Sequence, residues 1–169
     1  MIVALPNLNF KKEELQMNKR FWIVAVLMVI AVALAGCSGA PSDKPVAKAG
    51  SVEIYSPWIR AAKSGDNTAA YMVLKNTAGT ADKLVKAEFA NAGMVELMIT
   101  TMKDDKMQME TVMELEVPAN GENVLKSGGN HVMLMMLNQD LNEGDTTQLT
   151  LTFASGNSAT FDLPIKSKP

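Results

Sequence analysis

The chain has one cysteine, Cys37, and one histidine, His131. A lone cysteine excludes an internal disulfide. A lone imidazole, with no Cys or Ser nucleophile arranged beside it, supplies no nucleophile–base pair, so no enzyme is expected. A blue-copper electron carrier is excluded as well, because that site needs a Cys thiolate and two His. Aromatic residues are sparse, at 5% of the chain. There is no basic patch, and the formal net charge is −2, so no nucleic-acid partner is expected. No internal repeat is present. Beyond residue 36 no stretch carries a convincing helical period.

Methionine, by contrast, is abundant. There are 13, and nine of them lie between Met94 and Met136. Met is flexible and specifies a core poorly, so packing alone does not call for that density.

The first part of the chain reads as a targeting segment. Lys19-Arg20 precedes an apolar run, residues 21–35, and then Gly36-Cys37. A short basic stretch, about 15 apolar residues and small residues before a break form a secretory signal. The run falls short of the roughly 20 residues that a spanning helix needs. Leu34-Ala35-Gly36-Cys37 resembles the bacterial lipobox. That resemblance implies cleavage before Cys37 and acylation of its thiol and new N-terminus. Residues 17–36 are therefore expected to be a lipoprotein signal peptide and Cys37 the lipid attachment. The domain is then extracytoplasmic and membrane-anchored, on the periplasmic side or the outer cell surface. Residues 1–16 carry Glu13 and Glu14 and do not fit a basic leader. Lys11-Lys12-Glu13-Glu14 fits a purine-rich ribosome-binding sequence read through as protein, so translation is expected to start at Met17. Finding Met1 at the N-terminus of the unprocessed precursor would refute this.

Residues 37–50 contain small, polar and Pro residues and read as a flexible, lipid-attached linker. Residues 1–36 carry four basic and two acidic residues; the remainder carries 12 Lys and Arg against 16 Asp and Glu. That leaves an acidic, solvated surface. Residues 51–166 read as one β domain. Strands are expected at 51–55, 69–74, 84–89, 95–102, 107–117, 131–137, 148–153 and 159–165. Turn sequences separate them, among them Asp104-Asp105, Ala119-Asn120-Gly121 and Gly128-Gly129. Many short strands at regular spacing indicate an all-β antiparallel β-sandwich or barrel.

The methionines then acquire positions. If Asp104-Asp105 is a two-residue turn, Met102 opposes Met107 and Met98 opposes Thr111. Facing residues of an antiparallel pair point the same way, so Met98, Met102, Met107, Met109 and Met113 share a face. Met98 and Met109 become diagonal neighbours, close enough for two thioethers to meet one ion; a one-residue slip would separate them. In His131-Val132-Met133-Leu134-Met135, period two places His131, Met133 and Met135 together. Val132, Leu134 and Met136 fall on the other face and read as core.

One imidazole with thioethers selects a soft metal. A thioether is neutral and polarizable and suits Cu(I) far better than Zn(II) or Mg(II). Only the imidazole has a proton to lose. Outside the cytoplasm thiolates risk disulfide formation, whereas a thioether cannot form one, although sulfoxide remains a liability. Such a site adds no negative charge, which suits carrying copper more than holding it permanently. A methionine stripe more often packs a core than binds metal, and core packing is the expectation for Met72, Met94, Met102, Met107, Met113, Met135 and Met136.

The spacing Met98, ten residues, Met109, twenty-one residues, His131-x-Met133 resembles the His-or-Met, x10, Met, x21, His-x-Met signature of the periplasmic PCu(A)C copper chaperone family. Trp58-Ile59-Arg60, the run from Ala69-Ala70-Tyr71 to Asn76, and Gly128-Gly129-Asn130-His131-Val132-Met133-Leu134-Met135 resemble further blocks of that family. The resemblance covers residues 52–165. It implies a cupredoxin-like antiparallel β-sandwich and one Cu(I) per domain on Met98, Met109, His131 and Met133. The first of these is often His in the family; Met98 makes the site softer. The implied role is an extracytoplasmic metallochaperone delivering copper toward the CuA centre of cytochrome c oxidase. Its subunit II and Sco-type proteins would be partners. Two alternatives stand beside it: copper sequestration for tolerance without delivery, and a metal-free adhesion or ligand-binding sandwich.

Overall fold

A computed structural model describes residues 44–103 and 106–168. The expected lipid attachment at Cys37, the expected signal peptide 17–36, the expected extension 1–16 and the expected turn at Asp104-Asp105 lie outside the described residues.

Every regular element among the described residues is a strand. In chain order they are β1 Ala47–Ala49, β2 Val52–Arg60, β3 Thr68–Asn76, β4 Asp82–Glu88, β5 Ala92–Lys103 and β6 Lys106–Val112. Then follow β7 Leu115–Val117, β8 Glu122–Leu125, β9 His131–Leu137, β10 Thr146–Phe153 and β11 Ser158–Lys166. Hydrogen-bonded neighbours run β6-β5-β9-β3-β2-β11-β10-β4-β7, with β1 on β2 and β8 on β3. All pairings are antiparallel except β2 with β11, a two-residue parallel seam at Ile59↔Ile165 and Arg60↔Lys166. That seam joins two layers: β6-β5-β9-β3-β2 with β1 and β8, and β11-β10-β4-β7. The fold is the cupredoxin-like β-sandwich expected.

The core lies between the layers. Val52, Ile54, Ile59, Leu74, Val132 and Leu134 from the first meet Leu84, Val117, Leu149, Leu151, Phe153 and Leu163 from the second. Period-two alternation sets this arrangement, because a strand with one buried face must place its apolar residues at every second position.

Several boundaries differ from the sequence reading. β1 falls within the span that reads as linker; Ala47 and Ala49 pair with Ile54 and Val52. Gly50 closes that hairpin at φ 60°, and a Cβ there would lie 2.5 Å from the Asn157 side chain. β2 continues past Pro57 through a bulge. The single stretch expected at 107–117 is two strands in different layers, with Met113-Glu114 as the crossing. β8 was not expected.

Most methionines expected to be core are not. Met72 is buried, at 2% exposure, but Met94, Met102, Met107, Met113 and Met136 are exposed and Met135 is half-buried. Met136 leaves the core because its backbone turns to φ 53°. The flip sends Leu137 inward in its place, at 2% exposure. Met94, Met102, Met107 and Met135 lie on the outer face of the first layer, and Met113 lies in the crossing between the layers.

Candidate metal centre

Three adjacent strands of the first layer, β6, β5 and β9, carry the proposed ligands on their outer face. Their register decides which side chains meet. Met98 is directly opposite His131 across β5 and β9. On its other edge Met98 opposes Thr111, and Met109 opposes Thr100, so Met98 and Met109 are diagonal neighbours. This is the hairpin register the two-residue turn requires. Met133, two residues beyond His131, faces the same way between Ala69 of β3 and Glu96 of β5.

Met109, His131 and Met133 line one cavity of about 180 Å³, together with Arg60, Thr68, Tyr71, Gly128 and neighbours. Met98 is not part of that wall; it lies half-buried beside it, across the strand from His131. Three of the four sequence-selected residues thus share a cavity, and the fourth adjoins it through pairing. Burial grades across the site. His131 is 4% exposed, whereas Met109, on the terminal strand β6, is 56% exposed.

The imidazole is held in one orientation. Its Nδ1 lies 2.8 Å from the carbonyl oxygen of Gly129. A carbonyl can only accept, so Nδ1 carries the proton and donates. Nε2 then keeps its lone pair free for a metal. The same carbonyl accepts from Thr100 Oγ1 at 3.0 Å. A metal-binding His commonly donates its second N–H to a carbonyl in this manner, which fixes the tautomer and raises ligand basicity.

An aromatic wall closes the other side. The Tyr71 ring centroid is 6.4 Å from that of His131, and Trp58 packs on Tyr71 at 4.6 Å. The Arg60 guanidinium lies 5.8 Å from the Tyr71 centroid and donates to Ser127 Oγ at 3.3 Å. Trp58 reaches this face only through the β2 bulge. Val52 and Ile54 point inward, Ser56 takes φ 46°, and thereafter Pro57 and Ile59 point inward instead. One extra residue inverts the alternation and re-aims the side chains beyond it. Sequence reasoning assigned Trp58, Arg60 and Tyr71 no part in the site, and it missed Thr100 and the Gly129 carbonyl. The period of β3 could have placed Tyr71 opposite the core-facing Ala70 and Met72; no sequence signal locates the bulge at Ser56.

The donor set is soft. Among the described residues no three His, Cys, Asp or Glu side chains converge as a metal cage. A larger cavity of about 330 Å³, lined by Ser51, Asp82, Lys83, Ser155 and neighbours, has no thioether or imidazole. Its one carboxylate is already occupied. Asp82 accepts from Ser155 Oγ at 2.7 Å, Lys83 N at 2.8 Å and Ser155 N at 3.2 Å. Burial works to raise this carboxyl. The Ser155 hydroxyl and the two amides together outweigh it and hold the group below the usual carboxylate value.

Residues 52–165 match the family described as "Putative lipoprotein LpqE-like". The chain belongs to this LpqE-like family. A curated relative, "Putative lipoprotein Lxx21020" of Leifsonia xyli subsp. xyli (strain CTCB07), is 31% identical over 141 residues, covering 81% of this chain and 84% of its own. Among solved structures, the LpqE-like chain is similar to Cu(I)-DR1885 from Deinococcus radiodurans, a solution structure. Identity is 34% and TM-score 0.60, over 75% of this chain and 85% of that one. It also resembles the copper-bound PCuAC domain from PmoF2, at 23% identity and TM-score 0.61, over 73% and 97%. The latter likeness shows the fold. The PCu(A)C resemblance read from the LpqE-like sequence holds.

Proposed function

We propose that this protein is an extracytoplasmic copper chaperone that carries one Cu(I) ion per domain on Met98, Met109, His131 and Met133. The observation that carries this reading is the imidazole of His131. Its Nδ1 is tied to Gly129, and its ring shares a cavity with the thioethers of Met109 and Met133. An sp² nitrogen with a free lone pair beside neutral sulfur donors is a Cu(I) environment. The likeness at 34% identity to a Cu(I)-bearing domain supports the same reading.

Each element of the site has a task. His131 is the oriented nitrogen donor, and the Gly129 carbonyl with Thr100 holds its tautomer. Met133 and Met98 flank it on β9 and β5. Met109 is the accessible ligand. Its exposure on the terminal strand lets a recipient's donor approach the ion from the β6 side, so the geometry favours hand-over above permanent storage. Copper is cargo here, and no reaction is assigned to the site. Acylation at Cys37 would keep the domain at a membrane surface. Delivery toward the CuA centre of cytochrome c oxidase, with its subunit II and Sco-type proteins as partners, completes the proposal.

Anaerobic Cu(I) titration against a competing chelator, combined with X-ray absorption, tests the site. One equivalent bound through sulfur and nitrogen is expected; oxygen-only coordination would refute it. A deletion strain tests delivery. Loss of cytochrome c oxidase activity that added copper restores is the expected result, and normal activity in copper-limited medium would leave sequestration as the function.

A further inference from the structure

The proposed site uses four methionine and histidine side chains, yet the outer face of the same hairpin holds two more thioethers. Met102 and Met107 are directly opposite each other across β5 and β6. They are 67% and 58% exposed, so they do not serve the core. Opposed residues have Cβ atoms about 5 Å apart, within reach of two flexible thioethers closing on one ion.

Two observations connect this pair to the cavity. First, Met109 opposes Thr100, which lies midway between Met98 and Met102 on β5. Met109 is therefore diagonal to Met102 on one side and to Met98 on the other. Second, the Met107 methyl lies over the turn before β9. A Cβ on Gly128 would be 3.6 Å from Met107 Cε, and Gly128 lines the cavity with Met109 and His131. The thioethers thus form an unbroken series from the exposed end of the hairpin to the buried imidazole.

We propose that Met102 and Met107 form a second, weaker soft-metal site that captures Cu(I) and passes it through Met109 to His131. The proposal rests on the copper reading above. Two neutral thioethers with no imidazole bind less tightly than the inner set of three thioethers and an imidazole. Weak outside and tight inside is the gradient that inward transfer needs. The copper–sulfur contacts to Met102 and Met107 break as contacts to Met109, and then to Met98, Met133 and the imidazole nitrogen of His131, form. The ion stays Cu(I) throughout, and no proton or electron moves.

The test uses the full-length chain in detergent, labelled with 13C at the methionine methyls, and Ag(I) as a soft probe that does not change oxidation state. The first equivalent is expected to shift Met98, Met109 and Met133. Further Ag(I) is expected to shift Met102 and Met107 together, at concentrations that leave Met113 unmoved. Met113 is the control for unspecific thioether binding, since it is 88% exposed and lies outside β6. If Met102 and Met107 respond only as Met113 does, the second site is refuted while the inner site stands. If the inner methionines ignore the first equivalent, the copper reading itself fails, and the transfer with it. The variant Met102→Leu/Met107→Leu keeps side-chain volume and apolarity. It should slow anaerobic Cu(I) loading from a soluble complex by about tenfold, because it removes local capture, and leave the affinity at His131 unchanged. An unaltered loading rate would overturn the relay.

Discussion

Asp82 and His131 are both polar, both nearly buried, and both placed beside a cavity, yet they are opposites. The Asp82 carboxylate meets two donors from Ser155 and one from Lys83. Its hydrogen-bonding capacity is directed inward, and it ties the start of β4 to the β10–β11 turn. His131 has one nitrogen tied to Gly129, and its ring shares a cavity with Met109, Met133 and Tyr71. A buried polar group whose partners are complete is a structural rivet. One whose partners are half complete, in a cavity with soft donors, is a candidate binding site. Cavity size alone would select the other one, because the larger cavity is the one beside Asp82.

The largest expected effect is on His131. His131→Ala should weaken Cu(I) binding by about 100-fold or more, measured by chelator competition, since it removes the one nitrogen donor. An effect no larger than that of Met72→Ala, which changes only the core, would break the contrast. Asp82→Ala should act in the opposite manner. It removes the acceptor of three part-buried hydrogen bonds from Ser155 and Lys83 and should cost about 1–2 kcal/mol of folding stability in denaturant titration. Copper affinity should be unchanged, because distant sites without shared partners act independently.

Asp82 also has a pH signature. Its folded carboxyl is held below the unfolded value, so its contribution is fully present above the unfolded value, near pH 3.9. It is lost as pH falls through the depressed folded value. The stability gap between wild type and Asp82→Asn should therefore narrow in acid below about pH 4 and stay constant from pH 5 to 7. A constant gap throughout would show that the carboxylate charge is irrelevant to the rivet. The smallest effect concerns support of the imidazole. Thr100→Val removes the hydroxyl that shares the Gly129 carbonyl and should weaken Cu(I) binding by up to about tenfold, with little change in stability. An unaltered affinity would show that the carbonyl orients His131 unaided.

Much of this arrangement was legible in the sequence. The β5–β6 register follows from a two-residue turn, and the structure has Met98 opposite Thr111 and Met102 opposite Met107 as that turn demands. Alternation in β9 placed Val132 and Leu134 inward and His131 and Met133 outward, as observed. Failures cluster where the backbone departs from regular pleating. Met136 has the right period for the core and leaves it through a positive φ. Ser56 inserts a residue into β2 and thereby delivers Trp58 to the aromatic wall. The crossing at Met113-Glu114 carries no Gly or Pro, so nothing in composition marks it. The methionine expectation failed for another reason. Period shows which residues share a face, but it does not show whether another layer covers that face.

The amino-acid sequence by itself determined the strand periods, the hairpin register and the identity and spacing of the candidate ligands. These depend on neighbours within a few residues or on side-chain identity. Only the tertiary structure decided that β9 lies against β5, which sets Met98 opposite His131, and that the Gly129 carbonyl leaves Nε2 free. Only it decided that the second layer covers one face of these strands and leaves the thioether face open. Strand order and layer packing arise from contacts distant in sequence, where many pairings satisfy the same local pattern. The choice among them belongs to the whole core, not to any one segment.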